Sequence, residues 1–250
     1  MTDALNWKPA KAPTPGPIEG RFIRLEPLDP ARHGDDLWEV LQGPDCDPVL
    51  WDYLPYGPFP ERGAFDRWLQ GNAASADPLF YTVIDRPTGQ AQGILSLMSI
   101  VPDHGRIEIG HIAFGAAMQR TPKGTEAVYL LGKLGFELGN RRLEWKCNNA
   151  NARSKRAAER FGFVPTLSTH KKVVWLHTVS VGEFLAALPL IRRLQADDRV
   201  QLVITTTTPT GSERVRATLG DSVFHVYAPY DLPGVLARFL KRVKPSLYLV

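Results

Sequence analysis

Short stretches of alternating apolar and polar residues run through the first two thirds of the chain, and this pattern is typical of half-buried β-strands. The pair Asp29-Pro30 predicts a helix that runs to residue 41, because Asp is a favoured cap and Pro suits the first helical turn. The other predicted elements are strands at 20–26, 79–85, 93–101, 106–114 and 142–147, a short helix opening at 59–61, and helices at 125–138 and 154–161.

Beyond residue 165 the pattern changes to a strict alternation of strand and helix. Apolar runs predict four strands, and the segments between them predict three helices. Strands that alternate with helices form right-handed βαβ units, so this part predicts a parallel sheet. The predicted strands are 173–177, 200–205, 223–227 and 246–250, and the predicted helices are 183–195, 212–219 and 233–243.

The composition of the 250 residues is that of a globular protein, with 44% hydrophobic and 22% charged residues. It excludes a mainly disordered, collagenous or coiled-coil chain. No apolar run approaches the roughly 18 residues that span a bilayer, and the N-terminus shows no apolar core of a secretory signal. Cys46 and Cys147 stand far apart, so we expect a protein of the reducing cytoplasm with no disulfide framework and no metal site.

The basic excess of the chain is confined to its last third. Residues 171–250 contain 11 Lys and Arg against 6 Asp and Glu, whereas residues 1–170 contain 19 against 20. This shift suggests that two unlike pieces are joined. We expect a flexible lead-in at 1–18, a first domain at 19–165, a joint at 166–172 and a second domain at 173–250.

The first candidate site is the loop between the strand RIEIGHIAF and the helix that opens with TEAVYLL. A loop that enters a helix N-terminus presents free backbone N–H groups and the positive end of the helix dipole, and phosphates bind there. Residues Gln119, Gly124 and Thr125 are expected at that end. A second helix opens after the short strand RLEWKC, at Asn151 to Ser154.

Residues 20–163 resemble the GNAT acyl-CoA N-acyltransferases, most closely the Rim-type branch that acetylates protein N-termini and similar amines. The segments that carry the resemblance are LEPL (25–28), WDYLPYGPF (51–59), IEIGHIAF (107–114), TEA (125–127), LEWKC (143–147) and NARSKRAAERFGF (151–163). It implies a mixed sheet with flanking helices, and acetyl-CoA as co-substrate. It also implies that the loop 119–125 holds the CoA pyrophosphate, that Asn151 contacts the pantetheine arm, and that Ser154 protonates the leaving thiolate.

The reaction that this resemblance implies needs a base, because only a neutral amine attacks a thioester. Glu108 on the central strand is our candidate, and pairing with a surface arginine is the equally plausible alternative. Strand alternation places Glu108 on one face with residues 110, 112 and 114, and His111 on the opposite face. Helix capping is the alternative for Asn151, and an inert exposed position the alternative for Ser154. The aromatic residues Trp51, Tyr53 and Tyr56 could form core or shape an acceptor pocket.

The chain departs from the GNAT pattern in two places. The aligned loop reads Gln119-Arg120-Thr121-Pro122-Lys123-Gly124, and Pro122, which lacks an N–H, stands where the family has its first Gly. We expect Arg120 and Lys123 to contribute to cofactor binding, with Lys123 as a compensating point charge. The two closing strands of the family are missing after Phe163. We therefore ask whether the strand at 173–177 pairs beside 142–147 in their place.

Residues 173–250 resemble the N-terminal, acceptor-side domain of the 3-deoxy-D-manno-octulosonic acid (Kdo) transferases of lipid A biosynthesis. The matching segments are VVWLHTVSVGE (173–183), LVITTTTPTGSERV (202–215) and HVYAPYDLPG (225–234). The resemblance implies a partial Rossmann-like unit and makes Glu183 the base that deprotonates the acceptor sugar. A first-turn acid that stabilises the helix dipole is the alternative for Glu183. No donor-binding domain follows residue 250, so we expect no independent Kdo transferase activity.

The leading hypothesis is an acetyl-CoA-dependent N-acetyltransferase that acts on a peptide or small-molecule amine. The alternatives are a Kdo transferase fragment and an inactive fused remnant. The basic C-terminal part could favour an anionic membrane surface or a lipid A precursor, so a peripheral position at the inner membrane face is compatible with a cytoplasmic protein. Nucleic-acid binding ranks last, because the basic excess is modest.

Overall fold

The computed structural model describes residues 8–232 and 234–250, so residues 1–7 of the expected lead-in and residue 233 of a predicted helix lie outside it. The chain divides into two compact units, Met1–Asn148 and Asn149–Val250. Each unit contains its own sheet. Among the described residues, no helix has both the length and the apolar character that a bilayer crossing requires.

Within residues 8–148, the strands of the first unit form one mixed sheet of order β1-β2-β3-β4-β5-β6. All neighbours are antiparallel except β5 and β6, which run parallel. The strands are β1 (Ile18–Glu19), β2 (Ile23–Pro27), β3 (Leu79–Asp85), β4 (Ala91–Val101), β5 (Arg106–Phe114) and β6 (Arg142–Glu144), and the helices are α1 (Pro30–Gln42), α2 (Arg62–Ala73) and α3 (Pro122–Glu137). Short 3₁₀ turns occupy Pro102–His104 and Ala116–Met118.

The first unit places helices on both faces of this sheet, and β3 is buried along its whole length. Helices α1 and α2 pack on the face that carries Ile94 and Ala113. Helix α3 packs on the other face, where Gly132 approaches Ile109 and Leu143. The predicted start of α1 is confirmed, since the Asp29 carboxylate accepts hydrogen bonds from the N–H groups of residues 31 and 32.

Strand β5 contains a bulge that the sequence pattern does not predict. Ile94 pairs with Ala113, but Ser96 pairs with Gly110, so β5 has one residue more than β4 across this interval. His111 lies inside the bulge with φ +51°. An extra residue shifts the side-chain alternation of every position that follows. The predicted shared face of residues 108, 110, 112 and 114 is therefore wrong beyond Gly110, because Ala113 takes the place expected for Ile112.

Helix α3 is tied to the start of β2 by the carboxylate of its fifth residue, Glu126. Glu126 accepts hydrogen bonds from the backbone N–H groups of Arg21, Phe22 and Ile23 at 2.6, 2.7 and 3.0 Å. We expect Glu126→Gln to lower the free energy of unfolding by about 2 kcal/mol, since hydrogen bonds to a charged acceptor are worth more than those to an amide. Urea denaturation measures this loss. Glu137→Gln, at an exposed position of the same helix, should change stability by less than about 0.5 kcal/mol.

The second unit is built on a parallel sheet of order β10-β7-β8-β9. The predicted alternation of strand and helix is confirmed. The strands are β7 (Lys172–Thr178), β8 (Val200–Thr206), β9 (Phe224–Tyr227) and β10 (Leu247–Leu249). The helices are α4 (Ala152–Arg160), α5 (Val181–Gln195), α6 (Pro209–Leu219) and α7 (Val235–Val243), with a 3₁₀ turn at Gly220–Ser222.

Alternate residues of β7 supply two separate cores of the second unit. Val174 and Leu176 pack with α5 and α6, and Val173 and Trp175 pack with α7. Burial of both faces explains why the strand is an unbroken apolar run. The pairing of 173–177 beside 142–147 is wrong, because β7 lies between β8 and β10 of this second sheet.

Helix α4 and the turn after it are fastened to the second sheet. The Glu159 carboxylate accepts the Tyr227 N–H at 3.0 Å, and the Arg160 guanidinium donates to the Thr207 carbonyl at 2.6 Å. Arg238 of α7 donates to the Phe161 carbonyl at 2.5 Å. The domain bounds at 165 and 172 stay predictions, whereas these contacts group residues 149–164 with the C-terminal sheet.

Candidate active site

The parallel pair β5–β6 opens after three residues. Arg106 to Glu108 pair with Arg142 to Glu144, and β5 then continues to Phe114 without a parallel partner among the described residues. The bulge follows this opening directly. A strand edge without a partner presents backbone N–H and C=O groups that are free to bind an extended ligand. The opening and the bulge together define the candidate site of the first unit.

Two buried carboxylates stand side by side where this opening begins. Glu108 is 4% exposed and Glu144 is 8% exposed, and they occupy paired positions of β5 and β6. The Lys146 ammonium bridges them, with Nζ 2.6 Å from Glu108 Oε2 and 3.3 Å from Glu144 Oε2. Ser99 also donates to Glu108 Oε2, at 3.2 Å. The partner of Glu108 is thus a lysine and not a surface arginine. The hydrogen bond with Glu108 raises the pKa of Lys146, so this lysine stays charged.

His111 lies on the same face of the sheet as Glu108, so its predicted opposite placement is wrong. The bulge turns its ring toward Tyr56, whose hydroxyl is 2.7 Å from Nδ1. The two ring centroids lie 5.6 Å apart with an interplanar angle of 14°, and the ring of Phe80, on β3, lies 5.2 Å from the imidazole. Burial lowers the pKa of His111, and the charge of Glu108 partly opposes this shift. Burial also raises the pKa of Tyr56, so its hydroxyl stays protonated.

The aromatic residues of the 51–59 segment are mainly core. Trp51 is buried and makes edge contacts with Tyr56, Phe59 and Trp68 at 6.1, 5.5 and 5.9 Å. Tyr53 is exposed. This cluster supports Tyr56, and through it the ring of His111.

The loop 119–125 enters α3 three residues earlier than the pattern predicts. The helix begins at Pro122, so Gly124 lies inside the first turn and Thr125 follows it. The Gln119 amide donates to Asp47 at 3.0 Å and to the Phe114 carbonyl at 3.1 Å. Lys123 Nζ is 2.7 Å from the buried carboxylate of Asp85. Arg120 adopts a left-handed backbone with φ +60°.

The N-terminus of α3 has no side-chain cap, in contrast to α1, α5 and α6. The Thr121 hydroxyl, which stands at the cap position, donates to the Met118 carbonyl at 2.7 Å instead. The first-turn N–H groups of Lys123 and Gly124 are therefore available to an anionic ligand. Pro122, the departure from the GNAT loop, provides no N–H here.

Asn151 and Ser154 belong to the second compact unit, whereas Glu108 and the loop 119–125 belong to the first. Asn151 caps α4, and its side-chain oxygen accepts the Ser154 N–H at 2.9 Å. The helix-capping alternative for Asn151 is thus present in the structure.

Glu183 forms a reciprocal cap at the start of α5. Its carboxylate accepts the Val179 N–H at 2.7 Å, and the Ser180 hydroxyl accepts the Glu183 N–H at 3.3 Å. Glu183→Ala should lower the free energy of unfolding by about 1 kcal/mol, because the Val179 N–H then loses its acceptor. Thermal denaturation measures the loss. Glu213→Ala, at an exposed position of the next helix, α6, is the control and should change the free energy of unfolding little.

Residues 23–164 match the acetyltransferase (GNAT) domain family, and this match covers more than half of the chain. The chain belongs to the GNAT acetyltransferase family. A GCN5-related N-acetyltransferase from Brucella melitensis is 39% identical, with a TM-score of 0.62, over 72% of this chain and 79% of its own. A probable GNAT acetyltransferase from Chromobacterium violaceum is 41% identical, with a TM-score of 0.60, over 69% of this chain and 85% of its own. These likenesses also confirm the predicted mixed α/β fold.

The second resemblance is confirmed as well. Residues 155–250 match the 3-deoxy-D-manno-octulosonic-acid transferase (kdotransferase) family. The transferase of Haemophilus influenzae is 50% identical over 98 residues, which are 38% of this chain and 23% of the relative. The transferase of Bordetella pertussis is 36% identical over 82 residues, which are 31% of this chain and 19% of the relative. The chain thus spans about a quarter or less of the length of these relatives. The two family matches overlap at 155–164, the segment KRAAERFGFV.

Sequence reasoning missed three residues around Glu108. Lys146 and Glu144 form its ionic environment, and His111 was set on the wrong face. The strand LEWKC already alternates Glu144 and Lys146 on one face, which is a signal for that ion pair. The bulge that turns His111 has no comparable signal in the sequence. In the described part of the chain, no group of three or more His, Cys, Asp or Glu residues could hold a metal ion.

Proposed function

We propose that this chain transfers the acetyl group of acetyl-CoA to an amine, on a peptide N-terminus or a small molecule, by direct attack. One observation carries the proposal: in a member of the GNAT family, the strand opening lies beside a buried carboxylate, Glu108. The unpartnered edge of β5 offers backbone N–H groups to a thioester carbonyl, whose oxygen gains negative charge in the transition state. Glu108 supplies the negative charge that favours loss of a proton from the amine.

The loop 119–125 fits the pyrophosphate of CoA. The first turn of α3 presents two uncapped N–H groups, and helix N-termini bind phosphates. Lys123 adds positive charge, although it also neutralises Asp85. Gln119, Arg120 and Thr125 complete the proposed phosphate-binding set. In the same proposal, Asn151 contacts the pantetheine arm and Ser154 donates a proton to the leaving thiolate.

Calorimetry with acetyl-CoA, followed by thiol release with a panel of amines, tests this function. We expect binding and amine-dependent release of CoA. Acetyl-pantetheine, which lacks the pyrophosphate, should bind more weakly because it cannot use the first turn of α3. Absence of binding at millimolar acetyl-CoA would contradict the proposal and favour an inactive remnant.

A second candidate function is suggested by the 50% identity of the C-terminal segment to a Kdo transferase. We propose that this segment binds a lipid A precursor, with Glu183 as the base toward the acceptor hydroxyl and with an anionic membrane surface as its setting. Its cap contacts hold the Glu183 carboxylate at the start of α5. Binding of a lipid A precursor to the full chain, measured by fluorescence titration against Glu183→Gln, tests this. Equal absence of binding in both proteins would contradict it.

A further inference from the structure

The Tyr56–His111 pair is a polar contact inside an aromatic setting. Tyr56 stacks on His111 and also contacts Trp68 at 4.8 Å, while Phe80 covers the imidazole from β3. The hydroxyl–Nδ1 distance of 2.7 Å is that of a well-formed hydrogen bond. His111 therefore has a defined ring orientation although its backbone lies in a bulge. Among the described residues, Nε2 makes no hydrogen bond.

Glu108 itself is not well placed to receive a proton. Its Oε2 atom already accepts from Lys146 at 2.6 Å and from Ser99 at 3.2 Å. Both contacts therefore compete with the substrate amine for this oxygen. His111 differs in this respect: burial keeps its imidazole neutral at pH 7, so it can accept a proton.

We propose that Nε2 of His111, with the ring held by Tyr56, takes the proton from the acceptor amine, and that Glu108 acts through His111 by its charge. The inference rests on the proposed acetyl transfer and names its proton acceptor. In the reactive tautomer, Nδ1–H donates to the Tyr56 oxygen, so Nε2 carries no hydrogen and its lone pair can accept a proton. The groups that face the imidazole are Tyr56 from the 43–61 loop, Phe80 from β3 and Glu108 from β5 itself.

The proton and electron balance of this step is complete. An ammonium substrate loses one proton to Nε2 and becomes a neutral amine. The amine lone pair forms the new C–N bond with the acetyl carbon, the C–S bond breaks, and its electron pair leaves on sulfur. The second proton of the nitrogen passes to the thiolate to give free CoA. The imidazolium, stabilised by the charge of Glu108 and the Tyr56 oxygen, then releases its proton to solvent.

The test compares the pH dependence of kcat in the full chain and in His111→Asn. Asparagine suits the left-handed backbone at this position but cannot accept a proton. We expect the wild-type rate to fall on acidification beyond the ordinary imidazole pKa, because burial lowers the pKa of His111. His111→Asn should lower kcat about 10²-fold and abolish this acidic limb. The affinity for acetyl-CoA, measured by calorimetry, should stay within about twofold.

Tyr56→Phe provides an independent readout. Loss of the hydroxyl removes an acceptor for the imidazolium, so the acidic limb should move to lower pH while the fold persists. His104→Asn, on the exposed turn before β5, is the matched control and should leave kcat and its pH profile unchanged. An acidic limb that persists in His111→Asn, or stays in place in Tyr56→Phe, overturns the inference while acetyl transfer stands. Failure of the wild type to bind acetyl-CoA instead removes the proposed function and the inference together.

Discussion

Glu108→Gln should lower kcat for acetyl transfer by about 10²-fold. The amide keeps the shape of the carboxylate and can still accept from Ser99, but it removes the negative charge that faces His111. Without this charge the imidazolium formed during proton transfer is less stable. Steady-state kinetics with a reactive amine from the panel measures the change. Acetyl-CoA affinity should stay within about twofold, because the cofactor contacts lie in the loop 119–125.

The matched control for this variant is Glu26→Gln. Glu26 is also a buried, ion-paired carboxylate of the first unit, 5% exposed and with Oε2 2.7 Å from Arg32. Its replacement should cost stability to a similar degree and leave kcat unchanged. Wild-type activity in Glu108→Gln would remove Glu108 from the mechanism. Equal loss of kcat in both variants would mean that the effect is one of folding.

Gly162→Ala should lower the stability of the second unit by about 3 kcal/mol. Gly162 has φ +77°, which costs an L-residue about 1–2 kcal/mol. An added Cβ would also lie 2.7 Å from the Val235 carbonyl oxygen and 3.4 Å from the Phe239 nitrogen, and such overpacking costs about 1–3 kcal/mol. Hydrogen exchange followed by mass spectrometry measures the change, with increased exchange expected in β7 and α7.

Gly89→Ala separates the two contributions to this loss. Gly89 has nearly the same backbone conformation, φ +73°, but nothing lies within 4 Å of the position of its Cβ. Its replacement should therefore cost only the backbone strain. If both variants lose the same stability, the contact between the 161–164 turn and α7 contributes nothing.

Features that depend on near neighbours in the chain were predictable from the sequence. Asp29 caps α1 because its side chain reaches N–H groups two and three residues away. Strand β7 could be predicted because its apolar residues are contiguous, and the order of strands and helices after residue 165 followed in the same way. Both family resemblances rested on such local segments, and both are confirmed.

The placement of His111 required the tertiary structure. Simple alternation puts neighbouring residues of a strand on opposite faces, and it fails where one strand carries an extra residue against its partner. Whether β5 carries that residue depends on its pairing with β4, and no pattern within 106–114 records it. The same holds for Lys146, which meets Glu108 only because β6 lies parallel to β5.

The segment 155–164 shows most clearly which features the sequence determines and which only the tertiary structure decides. Its residues match both families, and the sequence alone set them in the first domain. The structure groups them with the second sheet, where Glu159, Arg160 and the Phe161 carbonyl find their partners. The sequence thus determined the local elements and the two families from which they come. Only the tertiary structure decided which surface those elements cover and which side chains meet at the candidate site, because hydrogen bonds and burial join residues that are distant along the chain.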